Sequence, residues 1–596
     1  MKIIFSALLI SIVGAYAQNC QMPGQNEWSA KVLTSDITGS VAFGLTPKGD
    51  VFLAEMNTGH IKLFSSANGT TTDLGKVNDS VYSDIGGTIE NGLLGVTPDP
   101  NYATNNWIYA FYSKKISDKT TTDCRRAYIA EHKHILVRFT VANGKLTNAK
   151  TILSFHRWST SHAAGALVFS KQGDLYISTG DDTNPTTDDN NNPEGNQNAG
   201  YGPRGAQGAC QNRPLADLTG TDAQATAGNT NDLRGKILRI KPIPFLDTNS
   251  PVEGVGTTYT IPDGNLFDKS KDVGNKTRPE IYTMGHRNPY RFRIDPVTGW
   301  VLIGEVGPDA RIDRDVEQRG NDEINLVTRP GNFGWPYANA DNRPYRVKSL
   351  GEGNYVVGDL FDLVHMKNKS PRNTGLEDLP PAIPALAWYN SGATEFGALN
   401  KKFGGGNSTA IGGPRYWYSA TGPNSRLPAY FQGKFITGDW TGHKMWVLDV
   451  DQNGTLRNVE DFSAPYSQSS IIDMDIGPDG TLYELFTGGY GQWDGQSFLV
   501  KVEYTGPQYA ASVCGDKIVT VGLQSKQLRH SDLNQKAFSI SGNESSLNLP
   551  QGVNEINLYN TQGKVVWHSK VIDNVSTFAI PSQFQNKGLL FVKFGF

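Results

Sequence analysis

The sequence has little net charge and, beyond its first residues, no long apolar run. Its 55 lysines and arginines nearly balance 58 aspartates and glutamates, which leaves a net charge of −3 over 596 residues. There is no general basic face, so nucleic acid and anionic membrane surfaces are poor partners. After the N-terminus no segment is long and apolar enough to cross a bilayer, and no membrane span is predicted.

Cysteine is also scarce, and recognisable cofactor motifs are missing. The chain has four cysteines and no CxxC pair, at spacings that do not suit zinc: Cys20, Cys124, Cys210 and Cys514. In an oxidising compartment four thiols allow three pairings, of which a Cys124–Cys210 bridge is one. No spacing encodes a nucleotide-binding loop or a serine nucleophile elbow.

The first 17 residues, MKIIFSALLISIVGAYA, have the pattern of a signal peptide. A lysine is followed by an apolar run, and Ala15-Tyr16-Ala17 is a small-x-small cleavage site. The apolar run is too short for a comfortable membrane span. The sequence therefore predicts export, with the mature protein secreted or at the cell surface.

A short β unit recurs along most of the chain. A turn of Pro, Gly, Asp or Asn precedes β-branched and aromatic residues. The copies are 46-TPKGDVFLAE, 98-PDPNYATNNWIYAFYS, 169-FSKQGDLYIST, 295-DPVTGWVLIGE, 431-FQGKFITGDWTGHKMWVLDV and 477-GPDGTLYELF. Six such units predict an all-β fold, a six-bladed β-propeller over residues 18–504, with long polar insertions at 180–234 and 338–378. The alternative is a β-sandwich with many hairpins.

The composition changes after the last repeat. Residues 505–515 read as a linker, and residues 516–596 contain short strands that predict a small β-sandwich. Its segments 555-EINLYNTQGKVVWHSKV and 588-GLLFVKFGF resemble the C-terminal sorting domains of the type IX secretion system. This resemblance implies secretion machinery as a partner of the C-terminal domain.

Polar residues cluster at three blade boundaries: 86-GGTIENGLLGVTPDP, 161-SHAAGALVFSKQGDLYISTGDD and the run from 285-GHRNP through 304-GEVGPD to 321-NDEINLVTRPGNFGWP. His162 stands among small residues, which leave its imidazole uncrowded, and its ordinary pKa suits a proton acceptor. Arg287, in 285-GHRNP, offers forked donors for a carbonyl or carboxylate. The turn at Gly307-Pro308 exposes carbonyl oxygens of the kind that calcium prefers. Each feature alone also fits a structural role: a histidine in the channel wall, a strut between blades or an ordinary loop.

The order of these motifs is more specific than any one of them. The chain has 90-ENGLLG, then 162-HAAGAL, 285-GHRNP, 305-EVGP, 322-DEINL and 331-GNFGWP. In this order they resemble the soluble quinoprotein sugar dehydrogenases, the glucose/sorbosone dehydrogenase family, over roughly residues 40–504. The resemblance implies a propeller that oxidises an aldose sugar to its lactone, with pyrroloquinoline quinone and calcium as cofactors and a separate electron acceptor.

The resemblance also implies roles for individual residues. His162 matches the general base that takes the proton from the anomeric hydroxyl, and Asp322 matches the carboxylate that supports this base. Arg287 and Asn288 match residues that contact the quinone oxygens. Glu90 matches a position near the cofactor. His286, although it adjoins Arg287, is the less favoured base.

Further matches concern the metal and the cofactor's carboxylates. The carbonyls of Gly307 and Pro308 match ligands of the calcium ion. Many members of the family have a later lysine or arginine that binds the cofactor, and here Arg415 and Lys444 are the substitutes.

Two other functions remain open from the sequence. The first is a non-catalytic propeller that binds carbohydrate or protein, having lost the cofactor. The second is a calcium-dependent lactonase, for which Glu90, Asp181 and Asn288 are the candidate ligands.

Overall fold

The protein is represented by a computed structural model in which two units of the chain separate, residues 1–515 and residues 516–596. The structure describes residues 22–81, 90–121, 129–157, 161–183, 223–244, 253–308, 319–350, 355–370, 372–390, 399–403, 409–462, 470–487 and 495–508, and six strands between 537 and 595. The predicted signal peptide and all four cysteines lie outside these ranges.

The described residues of the larger unit form six main sheets, each one blade of a propeller. Five have four antiparallel strands, and the sheet of blade 3 adds two short strands to its four, one of them parallel. The first strand in the described residues is β1 (Trp28–Thr34). Blade 1 contains β2 (Ser40–Leu45), β3 (Val51–Glu55), β4 (His60–Phe64) and β5 (Thr71–Lys76). Blade 2 contains β6 (Leu93–Pro98), β7 (Trp107–Thr121), β8 (Ile129–Ala142) and β9 (Lys145–Arg157), with helix α1 (Tyr102–Asn105) between β6 and β7.

Blade 3 contains β10 (Ala164–Phe169), β11 (Leu175–Thr179), β12 (Lys236–Pro242) and β14 (Ile281–Met284), and β13 (Tyr259–Thr260) pairs with β12. Blade 4 contains β15 (Pro289–Ile294), β16 (Val301–Glu305), β17 (Asp322–Val327) and β23 (Ala387–Tyr389). Between β17 and β23, β18 (Gly331–Asn332) joins blade 3, and two hairpins follow: β19 (Ala338–Asn339) with β20 (Arg343–Pro344), and β21 (Arg346–Leu350) with β22 (Tyr355–Leu360).

Blade 5 contains β24 (Ala410–Ile411), β25 (Phe435–Asp439), β26 (Lys444–Val450) and β27 (Leu456–Asp461). Blade 6 contains β28 (Ser470–Ile476), β29 (Leu482–Thr487) and β30 (Phe498–Tyr504), and β1 is its fourth strand. Single 3₁₀ turns occur at Gln25–Glu27, Lys269–Lys271, Asn400–Phe403 and Ala429–Phe431.

The smaller unit contains β31 (Ala537–Ile540), β32 (Ser546–Asn548), β33 (Glu555–Tyr559), β34 (Val565–Lys570), β35 (Thr577–Ala579) and β36 (Leu590–Gly595). Its strands form one sheet in the order β31-β36-β33-β34 and a second from β32 and β35. The sandwich and the sorting role stay predictions.

The repeats of the sequence are the hairpins that start each blade. Residues 46–50, 99–106, 170–174, 295–300 and 477–481 join the first strand of a blade to its second, and residues 431–434 lead into β25. The first strands lie innermost, where neighbouring blades contact one another. The predicted six-bladed propeller is therefore confirmed. No helix in the described part of the chain is long and apolar enough to cross a membrane.

The N-terminal strand closes the ring. β1 runs antiparallel to β30, from Trp28 opposite Tyr504 to Thr34 opposite Leu499. The Trp28 ring makes edge contacts with Phe431, Phe462 and Tyr504 at centroid distances of 5.8, 5.4 and 5.3 Å. Buried aromatic pairs of this kind add about 0.5–1.5 kcal/mol each beyond their area. The first strand is thus held by both its backbone and its side chains.

Charged side chains bridge the centre of the ring. Arg291 of β15 donates to the carbonyl of Val41 in blade 1. Arg293, two residues further on, donates to Asp473 of blade 6 at 2.7 Å, and the other oxygen of Asp473 accepts from the amide of Phe43 at 3.2 Å. Because buried charges require partners, these bonds connect blades 1, 4 and 6 across the axis.

Glu484 of β29 provides a test of how burial affects stability. The side chain is fully buried, and neither of its oxygens accepts a hydrogen bond from a described residue. Burial raises its pKa from 4.5 to about 8. The native state therefore holds this proton more tightly than the unfolded chain does. The protonated carboxyl contributes fully to the free energy of unfolding below pH 4.5, and this contribution is lost as the pH rises to about 8.

We expect Glu484→Gln to reduce this loss, because the amide cannot ionise. Between pH 4.5 and about 8, the free energy of unfolding of the variant should rise relative to that of the parent by up to about 1.4 kcal/mol per pH unit. Urea unfolding followed by tryptophan fluorescence at pH 5 and pH 8.5 measures it, with the exposed Glu377→Gln as control. Equal pH dependence in all three proteins would contradict the expectation.

Candidate functional site

His162 and Asp181 face each other at one end of blade 3. His162 lies two residues before β10 and Asp181 two residues after β11, and these strands pair with Ala164 opposite Thr179. The hydrogen bond from His162 Nδ1 to Asp181 Oδ1 measures 2.7 Å, and both side chains are buried. Since a carboxylate only accepts, Nδ1 carries a proton, and in the neutral imidazole Nε2 carries the lone pair. Nε2 bonds to no described residue.

The second oxygen of Asp181 is also held. Trp335 donates its indole N–H to Oδ2 at 2.8 Å, and the Thr183 hydroxyl donates to the same oxygen at 2.8 Å. Burial raises the pKa of Asp181, but the charges and hydrogen bonds of His162, Arg287 and Thr183 outweigh it and keep that pKa below its usual value. Asp181 is therefore an ionised carboxylate that orients the imidazole.

The backbone around this pair is left-handed. His162, Ala164 and Asp182 have φ of 56°, 53° and 61°, a conformation that side-chain-bearing residues rarely adopt. A Cβ at Gly180 would lie 1.7 Å from the carbonyl oxygen of His162, so only glycine fits there. The close approach of the two chains is what brings the imidazole and the carboxylate together.

Blade 4 contributes the neighbouring groups. Asn288 accepts from the amide of Ala164 at 3.1 Å and donates to Glu90 Oε2 at 3.3 Å. The carbonyl of Arg287 accepts from the amide of Asp181 at 2.8 Å. The Arg287 guanidinium donates from Nη1 to the Val306 carbonyl at 2.9 Å, while its buried Nε bonds to no described residue. Glu90, Arg287 and Asn288 thus meet beside His162 and Asp181.

His286 has a structural environment. It is fully buried, bonds through Nε2 to Thr283 and through Nδ1 to Glu305 at 2.8 Å each, and stacks on Phe333 at 5.1 Å. Both ring nitrogens are occupied, in agreement with its lower rank as a base. Glu305 also accepts from the amide of Arg287 and so anchors the whole turn.

The hydrogen bonds correct the prediction that Asp322 supports the base. Asp322 accepts from the amide of Gly307 at 3.0 Å and from the amide of Ala410 at 2.8 Å, which links blade 4 to blade 5. The carboxylate on His162 is Asp181. Asp322 is the first residue of β17, the third strand of blade 4. Its carboxylate lies at the boundary with blade 5 and therefore accepts from backbone amides there.

Arg415 is at the wrong end of the propeller for the role predicted from the sequence. It bonds to Asp295 at 3.2 Å and to the carbonyls of Gly433 and Val450 at 2.7 and 3.2 Å. Asp295 follows β15 whereas Arg287 precedes it, and six residues of strand span about 20 Å. Arg415 therefore does not lie beside Arg287.

The remaining predicted residues lie at the same end as the His162–Asp181 pair. Lys444 is exposed and starts β26, the third strand of blade 5. Gly307 and Pro308 follow β16, and a Cβ at Gly307 would lie 1.7 Å from the carbonyl oxygen of Asn321. The buried Oδ1 of Asn321 accepts from no described residue. The cofactor role of Lys444 stays a prediction.

Sequence reasoning missed Asp181 as the partner of the base, and the sequence carries only part of the signal for it. The turn at 170–174 by itself places His162 opposite residue 182, and a register shift between Ala164 and Leu167 brings Ala164 opposite Thr179. The hairpin therefore indicates the segment 181–182, but the turn alone does not decide which of its two aspartates bonds to His162. Trp335 carries no such signal, because it reaches Asp181 from a segment 154 residues away.

The chain is similar to known proteins over much of its length. The family model for glucose/sorbosone dehydrogenase matches residues 39–201 and 219–358, more than half of the chain. HIPL1 protein of Arabidopsis thaliana is 23% identical over 68% of this chain and 50% of its own length. Quinoprotein glucose dehydrogenase B of Acinetobacter calcoaceticus is 25% identical over 56% of this chain and 59% of its own.

A third relative, aldose sugar dehydrogenase YliI of Escherichia coli K12, is 23% identical over 61% of this chain and 74% of its own. The chain spans only half to three fifths of the length of the first two relatives.

Asp322→Ala should lower the free energy of unfolding, since it leaves two buried amides without an acceptor, at about 1–3 kcal/mol each. Urea unfolding measures the change. The control is Asp341→Ala at a half-exposed carboxylate, for which about 0.5 kcal/mol or less is expected. Equal stability of the two variants would show that Asp322 does not hold the blades together.

Proposed function

The chain belongs to the glucose/sorbosone dehydrogenase family, and on this basis we propose that it oxidises an aldose sugar at its anomeric carbon. The product is the lactone, and the hydride acceptor is pyrroloquinoline quinone bound with calcium. Export through the N-terminal segment 1–17 and sorting through the C-terminal unit belong to the same proposal. A separate electron acceptor is a further partner in this proposal.

The observation that carries this proposal is the buried His162–Asp181 pair. Asp181 fixes the tautomer in which Nε2 is unprotonated, as a base for a sugar hydroxyl requires. His162 therefore accepts the anomeric proton at Nε2, and the resulting imidazolium is stabilised by the ionised Asp181 beside it. When bound, the quinone supplies the hydride acceptor and calcium supplies a Lewis acid.

The residues beside this pair fit a quinone. Arg287 has a buried Nε without a partner among the described residues, so the guanidinium has a donor left for an anionic or carbonyl oxygen. Its positive charge would stabilise a reduced, more anionic ring. Asn288 and Glu90 line the same wall, and Lys444 is the cation available to the cofactor's carboxylates.

Oxygen donors that suit calcium are present near Gly307 and Pro308. Within the described residues no three His, Cys, Asp or Glu side chains gather as a metal site, so a hard cation would depend on carbonyl oxygens and on the cofactor. The unpartnered Oδ1 of Asn321, next to this turn, is a further oxygen of the kind that calcium binds. The donor set fits the ion.

Reconstitution tests the function directly. Purified protein incubated with calcium and pyrroloquinoline quinone should retain quinone absorbance after gel filtration and reduce a dye with at least one aldose of a panel. If the protein retains no quinone absorbance and reduces no dye, the proposal is overturned. Sugar binding without either would instead indicate a non-catalytic carbohydrate-binding propeller.

Substitutions at the two carboxylates test which one supports the base. Asp181→Asn should lower kcat by about 10²–10⁴-fold, because an amide does not hold the same tautomer or stabilise the imidazolium. Asp322→Asn is the matched comparison: its carboxylate bonds to backbone amides and not to His162, so its kcat should fall much less than that of Asp181→Asn.

The base itself is tested by His162→Asn, since asparagine tolerates the left-handed backbone. It should abolish turnover while quinone is retained. An equal loss of kcat in both aspartate variants, or full turnover without His162, would contradict these assignments.

A further inference from the structure

Arg157 contacts the chain on both sides of the His162–Asp181 pair, through backbone carbonyls on one side and a carboxylate on the other. It is the last residue of β9, and its side chain is 1% exposed. Nη1 donates to the His162 carbonyl at 3.1 Å, and Nη2 donates to the Ser161 carbonyl. Nε is 3.2 Å from Oδ1 of Asp182, the residue after Asp181. One guanidinium therefore links the segment before β10, which carries His162, to the segment after β11, which carries Asp181.

The His162 backbone depends on such a partner. A left-handed conformation is unfavourable for a residue with a Cβ and persists only where the surroundings impose it. The His162 carbonyl is pressed against Gly180 on one side and accepts from Arg157 on the other. The planar fork of arginine can hold two successive carbonyls at once, which an ammonium cannot.

A second guanidinium completes the arrangement. Arg234 donates from Nη1 to the other carboxylate oxygen of Asp182 at 2.6 Å and from Nη2 to Asp232 at 2.7 Å. Asp182 thus lies between two cations that approach from different segments of the chain. Loop residues on the same side, Ala223 and Ala227, pack against Trp335. The segment 181–183 is accordingly held from both sides.

We propose that Arg157 is a positioning residue that sets the His162–Asp181 hydrogen bond and the direction of His162 Nε2 before any ligand binds. The consequence for turnover rests on the proposed function. The geometry itself is a property of the protein without ligand and can be measured there.

The decisive variants are Arg157→Gln and Arg157→Lys. The lysine variant keeps a cation opposite the buried Asp182, so it folds where loss of the charge would be too costly, but it lacks the fork. The matched control is Arg415→Gln, a similarly buried arginine with three hydrogen-bond partners at the opposite end of the strands. It should lower stability without altering the site.

Two readouts separate positioning from stability. In ¹⁵N-labelled protein without cofactor, a histidine Nδ1 proton bound to a carboxylate gives a downfield proton resonance, assigned here by its absence in His162→Asn. This resonance should persist in the parent and in Arg415→Gln and be lost or broadened in both Arg157 variants. In reconstituted enzyme the Arg157 variants should lose about 10²-fold in kcat, with KM changed by no more than about twofold.

Each outcome decides the proposal. Parent-like resonance and kcat in a folded Arg157 variant would overturn it, and so would loss of the resonance in Arg415→Gln to the same extent. If no protein, the parent included, oxidises a sugar, the proposed function fails. The resonance alone then decides whether Arg157 positions His162.

Discussion

The pairing of β1 with β30 is the constraint on which the rest of the structure depends. β1 precedes blade 1 in the chain but supplies the fourth strand of the last blade, and this pairing closes a ring of six sheets. Closure brings the entrances of the innermost strands together around one axis. Groups far apart in sequence, Glu90 before blade 2, the His162–Asp181 pair of blade 3 and Arg287 before blade 4, meet for this reason.

Within the ring, several buried charged groups are held by hydrogen bonds to other side chains and to backbone amides. Asp473 takes hydrogen bonds from Arg293 and from the Phe43 amide below the site, and Glu305 binds both His286 and the Arg287 amide beside it. Buried charges are tolerated only when paired in this way. The same pairing gives the site its rigidity, because an imidazole whose carboxylate is fixed on both oxygens has little freedom to turn.

The sequence predicted the architecture well because the information is local. Each blade begins with a turn between two apolar strands, and six such turns indicate six blades. The same local pattern identifies His162 as an uncrowded histidine at a strand entrance and Arg287 as a cation at another. His286, by contrast, could be set aside only through motif order, and its bonds to Thr283 and Glu305 now explain why it is structural.

Contacts between blades were beyond the reach of such patterns. Asp322 and Asp181 are both acidic residues at strand ends, yet one caps amides of blades 4 and 5 and the other orients the imidazole. The sequence allowed Arg415 as a cofactor ligand. The structure pairs it with Asp295, which lies at the end of β15 away from Arg287.

The sequence by itself therefore determined the blades, the likeness to a family and the residue types of the site. Only the tertiary structure decided which carboxylate meets His162, which arginine faces the site and which, like Arg157, holds the backbone. The physical reason is that turns and strand periodicity are short-range properties. Hydrogen bonds between blades depend on the closed ring and on the end of each strand at which a side chain lies.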